Sequence, residues 1–269
     1  MISQADYETL AALMAGFQSG KASSAQINKA LRQSSTMAHV LAQFIADSAC
    51  VDVLDNGTPA AILANLKAGL LSAGTGRLIG IKVFSTAGTF IYTRRPGAKK
   101  ARVYVTAAGG SGTRRSSTTV PPGGGGGAGG TAIKLMTLTQ DTYSVVVGAR
   151  ALGGSPGRSS SFGTGTECAA TGGGYASGGA GGAPGVGSAD DLNLSGGYGS
   201  DAADSSQSGN GSGDGGASYW CGGRKAGTGT GTGQSDYCAL GSGGGGNQAA
   251  NTAGQNMGAP GIVYIGEYS

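Results

Sequence analysis

The sequence predicts a helical, coiled-coil-like N-terminal segment, then a small β-structure that leads into packed polyglycine-II helices with little regular secondary structure. Three observations support this fold class. Apolar residues recur at steps of three and four near the N-terminus, and alternating patterns typical of strands follow. Glycine then dominates, with 57 glycines among 269 residues, most of them beyond residue 107. We therefore place a domain boundary after residue 78, which gives domains 1–78 and 79–269.

The N-terminal segment has the start signals and the apolar spacing of helices. Ser3 caps a first helix that runs to about Phe17, and Ser23-x-x-Gln26 forms a capping box for a second one. A third helix begins at Pro59. The second helix carries a heptad seam of Ile27, Leu31, Ser34, Ala38, Leu41 and Ile45. Such a seam needs a partner, either another helix of this chain or copies of itself.

Strand-like segments frame the glycine-rich region. Alternating apolar and polar residues predict strands at 78–84, 89–93, 101–107, 131–139 and 143–148, with a last strand at 261–265. The glycine-rich composition by itself also fits a disordered segment. A disordered linker seldom ends by returning to a sheet, so the framing strands favour a folded region.

Within the glycine-rich region, glycine recurs with a period of three residues. In residues 172–187, positions 172, 178, 181 and 187 share one phase, and 173, 179, 182 and 185 share the next. A polyproline-II-type helix has three residues per turn, so this pattern places columns of glycine on two faces. Without Cβ atoms, neighbouring backbones can approach closely enough to form hydrogen bonds. The pattern predicts that valine at 179 or 182 prevents folding.

The residues that enzymes and metal sites need are sparse. His39 is the only histidine, and the G-x-G-x-x-G match at Gly125 is not followed by a helix. The aspartates of residues 190–214 lack the spacing of a calcium loop. Net charge is only +4, which does not indicate a nucleic-acid binder. We therefore expect no enzyme activity, no cofactor, no metal and no nucleic-acid partner. Cys221 and Cys238 lie at the two ends of one loop-like segment. They either form a disulfide, in an oxidising medium, or stay free thiols.

Six ordered segments carry a family resemblance over roughly residues 83–269. They read FSTAGTFIYTRRPGAKKARVYVTAAGG, TAIKLMTLTQDTYSVVVGA, SFGTGTECAATGGG, GGAPGVGSADDLNLSGGYG, ASYWCGGR and GAPGIVYIGEY. This series resembles the glycine-rich tip domain of bacteriophage tail fibres and their adhesins. The resemblance implies a β-structure that leads into a sandwich of polyglycine-II helices, with recognition loops at its far end. Residues 1–78 are similar to a short fibre shaft or attachment segment.

The resemblance implies a tail-fibre protein of a phage, prophage or phage-like particle that recognises a bacterial surface receptor during host adsorption. The receptor is expected to be an outer-membrane protein or a surface glycan. Residues 1–78 are expected to bind other tail or baseplate proteins and to form a homotrimer. The N-terminus carries Asp6 and Glu8 rather than a basic secretory signal, so synthesis in the host cytoplasm and location in the virion tail fibre are expected.

Two other functions were weighed. A freestanding polyglycine-II protein that binds a repetitive surface such as ice needs regular polar columns and no oligomerisation seam. A disordered, glycine-rich, nucleic-acid-binding segment needs clustered arginines, whereas Arg150, Arg158 and Arg224 stand apart. The sequence favours neither.

Bulky side chains among glycines mark the candidate receptor-binding residues: Tyr198, Tyr219, Trp220, Arg224 and Tyr237. Aromatic and arginine side chains dominate binding hot spots because they offer large, rigid contact areas, and aromatic rings stack on sugars. A structural alternative is that Tyr219 and Trp220 plug the end of the sandwich. If these residues do not bind, the loops at 109–122 and 149–162 are the next candidates.

Overall fold

The computed structural model describes residues 5, 8–9, 24–53, 59–73, 76–114, 122–164, 167–189, 191–203, 211–226, 239–247 and 256–269. The chain divides into two compact units, Met1–Thr75 and Gly76–Ser269. The first unit holds α1 (Ser24–Ala49) and α2 (Pro59–Ala73), which pack against each other. Ile45 of α1 is fully buried, and a Cβ at Gly69 of α2 would lie 3.3 Å from the Ser48 Cβ. The predicted first helix falls mostly outside the described residues.

The described residues of the second unit form ten strands in two antiparallel sheets. The strands are β1 (Leu78–Phe84), β2 (Gly88–Thr93), β3 (Lys100–Thr106), β4 (Thr131–Thr137), β5 (Thr142–Val147), β6 (Ser160–Phe162), β7 (Cys168–Ala170), β8 (Gly187–Ser188), β9 (Leu192–Leu194) and β10 (Ile262–Tyr268). The first sheet has the order β1-β10-β3-β4-β9, and the second has the order β2-β5-β6-β7-β8. The six strands predicted from alternation are confirmed to within a few residues.

The hydrophobic core of this unit is built from strand residues of both sheets. Val103 of β3 and Ile265 of β10 are fully buried, as are Val145 of β5 and Phe162 of β6. These positions alternate along their strands with outward-facing residues, as the period of two requires. Pairing places β10, the last of these strands along the chain, inside the first sheet between β1 and β3.

Glycine-rich segments between the strands form a hydrogen-bonded backbone array, which we call the glycine array (segments 107–114, 122–130, 155–158, 171–177, 180–186, 195–203, 211–218, 222–226, 241–247 and 256–261). Segment 122–130 is buried throughout. Successive N–H groups along it donate to different segments: Gly126 to the Gly244 carbonyl at 2.7 Å, Gly127 to Gly174 at 2.9 Å and Ala128 to Gly197 at 2.9 Å. The next N–H, from Gly129, returns to the first of these segments at Gly241 (2.8 Å). Backbone polar groups of the buried segment are thereby paired, as burial demands.

The predicted fold class is wrong. Two antiparallel five-stranded sheets form the framework of the second unit, and strands β6 to β9 lie inside the stretch for which little regular structure was expected. The described helical part is a pair of packed helices and not a long coiled-coil helix. Of the seam residues, Ile27 and Leu31 are exposed whereas Ile45 is buried. The prediction failed because β6 to β9 have only two or three residues each. Strands this short form where a longer strand offers an edge, so tertiary context decides them.

Candidate functional site

Four aromatic rings lie together on the outer face of the first sheet, and we call them the aromatic surface (Tyr104, Tyr219, Trp220 and Tyr264). Tyr104 of β3 and Tyr264 of β10 are direct cross-strand partners, with ring centroids 5.5 Å apart and nearly perpendicular. Tyr219 and Trp220 pack over them, since both ring centroids lie 6.1 Å from that of Tyr104. Tyr219 and Trp220 also contact each other edge to face at 5.2 Å. Such edge-to-face pairs stabilise beyond their buried area.

Trp220 is anchored by hydrogen bonds as well as by ring contacts. Its indole Nε1–H donates to the Thr106 Oγ1 at 2.9 Å, and Thr106 pairs with Thr131 through their hydroxyls at 2.8 Å. The Ser218 N–H donates to the Cys221 carbonyl at 3.0 Å, and the Ser218 hydroxyl donates to the Leu240 carbonyl at 2.7 Å. The turn at 218–221 is therefore fixed on the sheet, yet Trp220 keeps 36% and Tyr219 keeps 49% of its surface exposed.

Tyr198 lies apart from the aromatic surface, on the glycine array. The N–H of Gly197 donates to Ala217 at 2.9 Å, and the N–H of Gly199 donates to Gly182 at 3.0 Å, so the backbone on both sides of Tyr198 is held. Its side chain is 74% exposed. Three residues further on, the Asp201 carboxylate accepts the N–H of Gly181 at 2.7 Å. The ring therefore projects into solvent from a fixed backbone.

The remaining two predicted residues have different surroundings. Arg224 is half-buried, and its backbone carbonyl accepts the N–H of Gly215 at 2.7 Å. It belongs to the segment 222–226 of the glycine array. Tyr237 falls outside the described residues. Among the four predicted residues that the structure describes, Tyr219 and Trp220 are in contact with each other.

A family described as "Glycine-rich domain" matches residues 85–268, which cover both sheets apart from β1 and the whole glycine array. The chain belongs to this family. No curated protein matches the chain. The resemblance noted in the sequence is thus shown at the level of the glycine-rich domain.

Sequence reasoning missed two members of the aromatic surface. Tyr104 and Tyr264 were counted only as strand residues of the glycine-rich domain. Alternation along β3 and β10 already puts each of them on the face opposite Val103, Val105, Val263 and Ile265, where a polar residue is usual. Two tyrosines on the face away from the core were the available signal. The fact that these tyrosines are cross-strand partners, with Trp220 above them, required the fold.

One charged cluster of the glycine-rich domain is structural. Glu267 of β10 is almost fully buried, its carboxylate accepts the Tyr92 hydroxyl at 2.7 Å and the Arg95 N–H at 2.9 Å, and it pairs with the Arg95 guanidinium at 2.9 Å. Burial, followed by the hydrogen bond and charge of Glu267, raises the pKa of Tyr92 above its ordinary value. A Cβ at Gly80 would lie 2.5 Å from the Arg95 Nε, so glycine makes room for this pair.

Two further features bear on the class of site. Among the described residues, no three His, Cys, Asp or Glu side chains gather in a way that would hold a metal ion. No helix of the described part of the chain has the length and apolar character that crossing a membrane requires. Cys221 is exposed as a free thiol, and Cys238 falls outside the described residues.

Proposed function

We propose that this chain is a tail-fibre protein of a phage, prophage or phage-like particle, and that it recognises a receptor on the bacterial surface. The exposed Tyr198 ring on the fixed backbone of the glycine array carries this proposal. A side chain on an already ordered backbone loses little conformational entropy when it binds, so more of the contact energy remains as affinity. Large rigid aromatic side chains are the usual anchors of such contacts.

The ends of the array segments support the same function. Arg114 pairs with Asn247, and the Gly123 N–H donates to the carbonyl of Asn247 at 3.2 Å. The carbonyl of Gly123 in turn accepts the N–H of Gly213 at 2.9 Å, two residues after Gly211. Arg114, Gly123 and Asn247, each close to the end of a described segment, are therefore held together by backbone hydrogen bonds. Side chains fixed on a rigid scaffold in this way are suited to recognition.

The proposal extends to the assembly of the particle. We assign residues 1–78 to attachment to other tail or baseplate proteins and to formation of a homotrimer. Support comes from α1, where Ile27, Leu31 and Leu41 of the seam are exposed in the single chain and offer apolar surface to a partner. Light scattering of the intact chain tests the number of copies, and a strictly monomeric mass would contradict the trimer.

The test of receptor recognition uses single substitutions in the purified full chain. Labelled protein is added to a panel of bacterial strains, and the amount bound is measured by flow cytometry. Tyr198→Ala is expected to lower binding at least tenfold at an unchanged melting temperature. Tyr175→Ala is the matched control, because Tyr175 is a second exposed tyrosine of the glycine array. Equal binding by the wild type and Tyr198→Ala would show that the receptor contact lies elsewhere.

The other predicted residues are tested in parallel. Tyr219→Ala and Trp220→Ala remove side chains that pack on Tyr104, so each is expected to lower the melting temperature as well. Loss of binding by Arg224→Ala at unchanged stability would extend the contact surface to segment 222–226. If the wild-type protein binds none of the bacterial strains in the panel, the proposed function is wrong.

A further inference from the structure

The two outer faces of the β-sandwich differ in how many apolar side chains they carry. One cross-strand row of the second sheet runs through Thr89, Val146, Ser161, Ala169 and Ser188. The corresponding row of the first sheet runs through Val83, Tyr264, Tyr104, Ile133 and Leu192. An antiparallel sheet normally turns one face to the core and a polar face to water. In the second sheet this row mixes hydroxyl side chains with Val146 and Ala169. In the first sheet every residue of the row is aliphatic or aromatic.

The apolar character of the first sheet's outer face extends beyond this row. In the adjacent row, Ile81 of β1 and Leu135 of β4 lie on either side of Gly266 and Arg102. Leu135 is 53% exposed, and Ile81, Val83 and Leu192 are exposed as well. With the aromatic surface in its centre, this face is a contiguous apolar patch. Patches of this kind on folded proteins mark interaction sites.

We propose that a second copy of this chain covers the outer face of the first sheet. The inference goes beyond the proposed function, since it assigns a surface to self-association whatever receptor the protein recognises. Strands β1, β10, β3 and β4 have seven residues each. At about 4.8 Å between strands and about 3.3 Å per residue, they present roughly 450 Å² in projection. Protruding side chains and β9 enlarge the accessible area toward the roughly 800 Å² per partner of a stable dimer.

The ring geometry argues for a protein partner rather than a sugar. The Tyr104 and Tyr264 rings are inclined by 84° and the Tyr219 and Trp220 rings by 89°. A sugar-stacking platform needs rings that lie in one plane, whereas perpendicular rings make a corrugated surface that interdigitates with side chains. Arg102 puts a charge in the middle of the face. Its guanidinium lies 5.8 Å over the Tyr104 ring, which is a favourable site for a cation without a partner carboxylate.

The first experiment compares matched substitutions on the two sheets. Leu135→Asp puts a carboxylate on the apolar face, and Ile91→Asp puts one on the outer face of the second sheet, where Ile91 is 74% exposed. Sedimentation of the full chain at about 1–100 µM spans the range expected for a standard interface. We expect Leu135→Asp to weaken self-association at least tenfold and Ile91→Asp to leave it unchanged, with both variants folded by circular dichroism.

Salt separates a second copy from an acidic partner protein. Lys100 and Arg102 are the charged residues that β3 contributes to this face, and both are basic. Salt screens the repulsion between the basic residues of two copies, so self-association strengthens as the salt concentration rises. Salt would instead weaken the binding of an acidic partner protein, because it screens the attraction between opposite charges. We expect tighter association in about 0.5 M than in about 0.05 M sodium chloride.

Trp220 provides a direct optical readout because it is the only tryptophan. If a second copy covers the face, its emission shifts to shorter wavelength with rising protein concentration in the wild type and in Ile91→Asp, but not in Leu135→Asp. A monomeric wild type at every concentration overturns the proposal and leaves the face to a different occupant. An oligomer whose mass and emission ignore Leu135→Asp also overturns it, because association would then use another surface such as α1.

Discussion

Gly126 lies in the middle of the buried segment 122–130, and alanine there tests whether the glycine array depends on the absence of Cβ atoms. A Cβ at Gly126 would lie 2.3 Å from the Gly110 carbonyl oxygen and 2.6 Å from the Gly110 carbonyl carbon. Both atoms are backbone, so no side chain can rotate away. The two segments must separate by about 1 Å to restore an ordinary contact.

The energetic cost follows from the bonds that this separation breaks. The two segments are joined near this point by the Gly110 N–H, which donates to the Gly127 carbonyl at 2.9 Å, and by the Thr113 N–H, which donates to the Gly124 carbonyl at 2.9 Å. Two buried backbone hydrogen bonds contribute about 1 kcal/mol each, and overpacking adds about 1–3 kcal/mol. We expect Gly126→Ala to lower the free energy of unfolding by about 3–5 kcal/mol, a large share of the roughly 5–15 kcal/mol typical of folded proteins. This corresponds to a melting temperature roughly 10 °C lower.

Differential scanning calorimetry of the full chain measures this effect against a matched control. A Cβ at Gly153 meets no atom within 4 Å, and its backbone is not in the left-handed region. Gly153→Ala is therefore expected to be neutral or to stabilise by up to about 1 kcal/mol through the unfolded state. If Gly126→Ala and Gly153→Ala melt within 2 °C of each other, the backbone contacts do not hold the array together.

Three further predictions concern buried contacts. Tyr92→Phe removes the hydroxyl that donates to buried Glu267, and urea unfolding should show a loss of about 2 kcal/mol; a loss under about 0.5 kcal/mol would contradict this. Because the folded-state pKa of Tyr92 is raised, the stability that Tyr92 contributes is fully present below about pH 10, the ordinary tyrosine value, and declines as pH rises further. The free energy of unfolding should therefore fall less steeply above about pH 10 in Tyr92→Phe than in the wild type. Thr106→Val removes the acceptor of the Trp220 indole and should lower stability by about 1 kcal/mol with altered emission, whereas unchanged emission would place the indole elsewhere. Ile45→Ala should destabilise the helical unit by about 2–4 kcal/mol, and an unchanged helical melt would argue against its burial.

Local patterns in the sequence determined the long strands and the two described helices. β3 has valine at 103 and 105, and β10 has Val263 and Ile265 two residues apart, so the strand character of both is readable without the fold. The capping box before Ile27 and the proline at 59 likewise mark helix starts that the structure has nearby, at Ser24 and Pro59. In each case the information lies within about seven neighbouring residues, which is the range over which a strand or a helix turn repeats.

Pairing across the chain decided the rest. β6 to β9 are too short to show a period. β6 adds to the edge of β5 and β9 to the edge of β4, and β7 and β8 then add in turn beyond β6. The candidate site has the same origin: Trp220 bonds to Thr106, 114 positions away, and Tyr104 meets Tyr264 only because β10 inserts beside β3. The three-residue repeat of glycine shows where side chains are missing along one segment. Which backbone approaches that gap depends on several distant segments at once, and no local pattern carries that information.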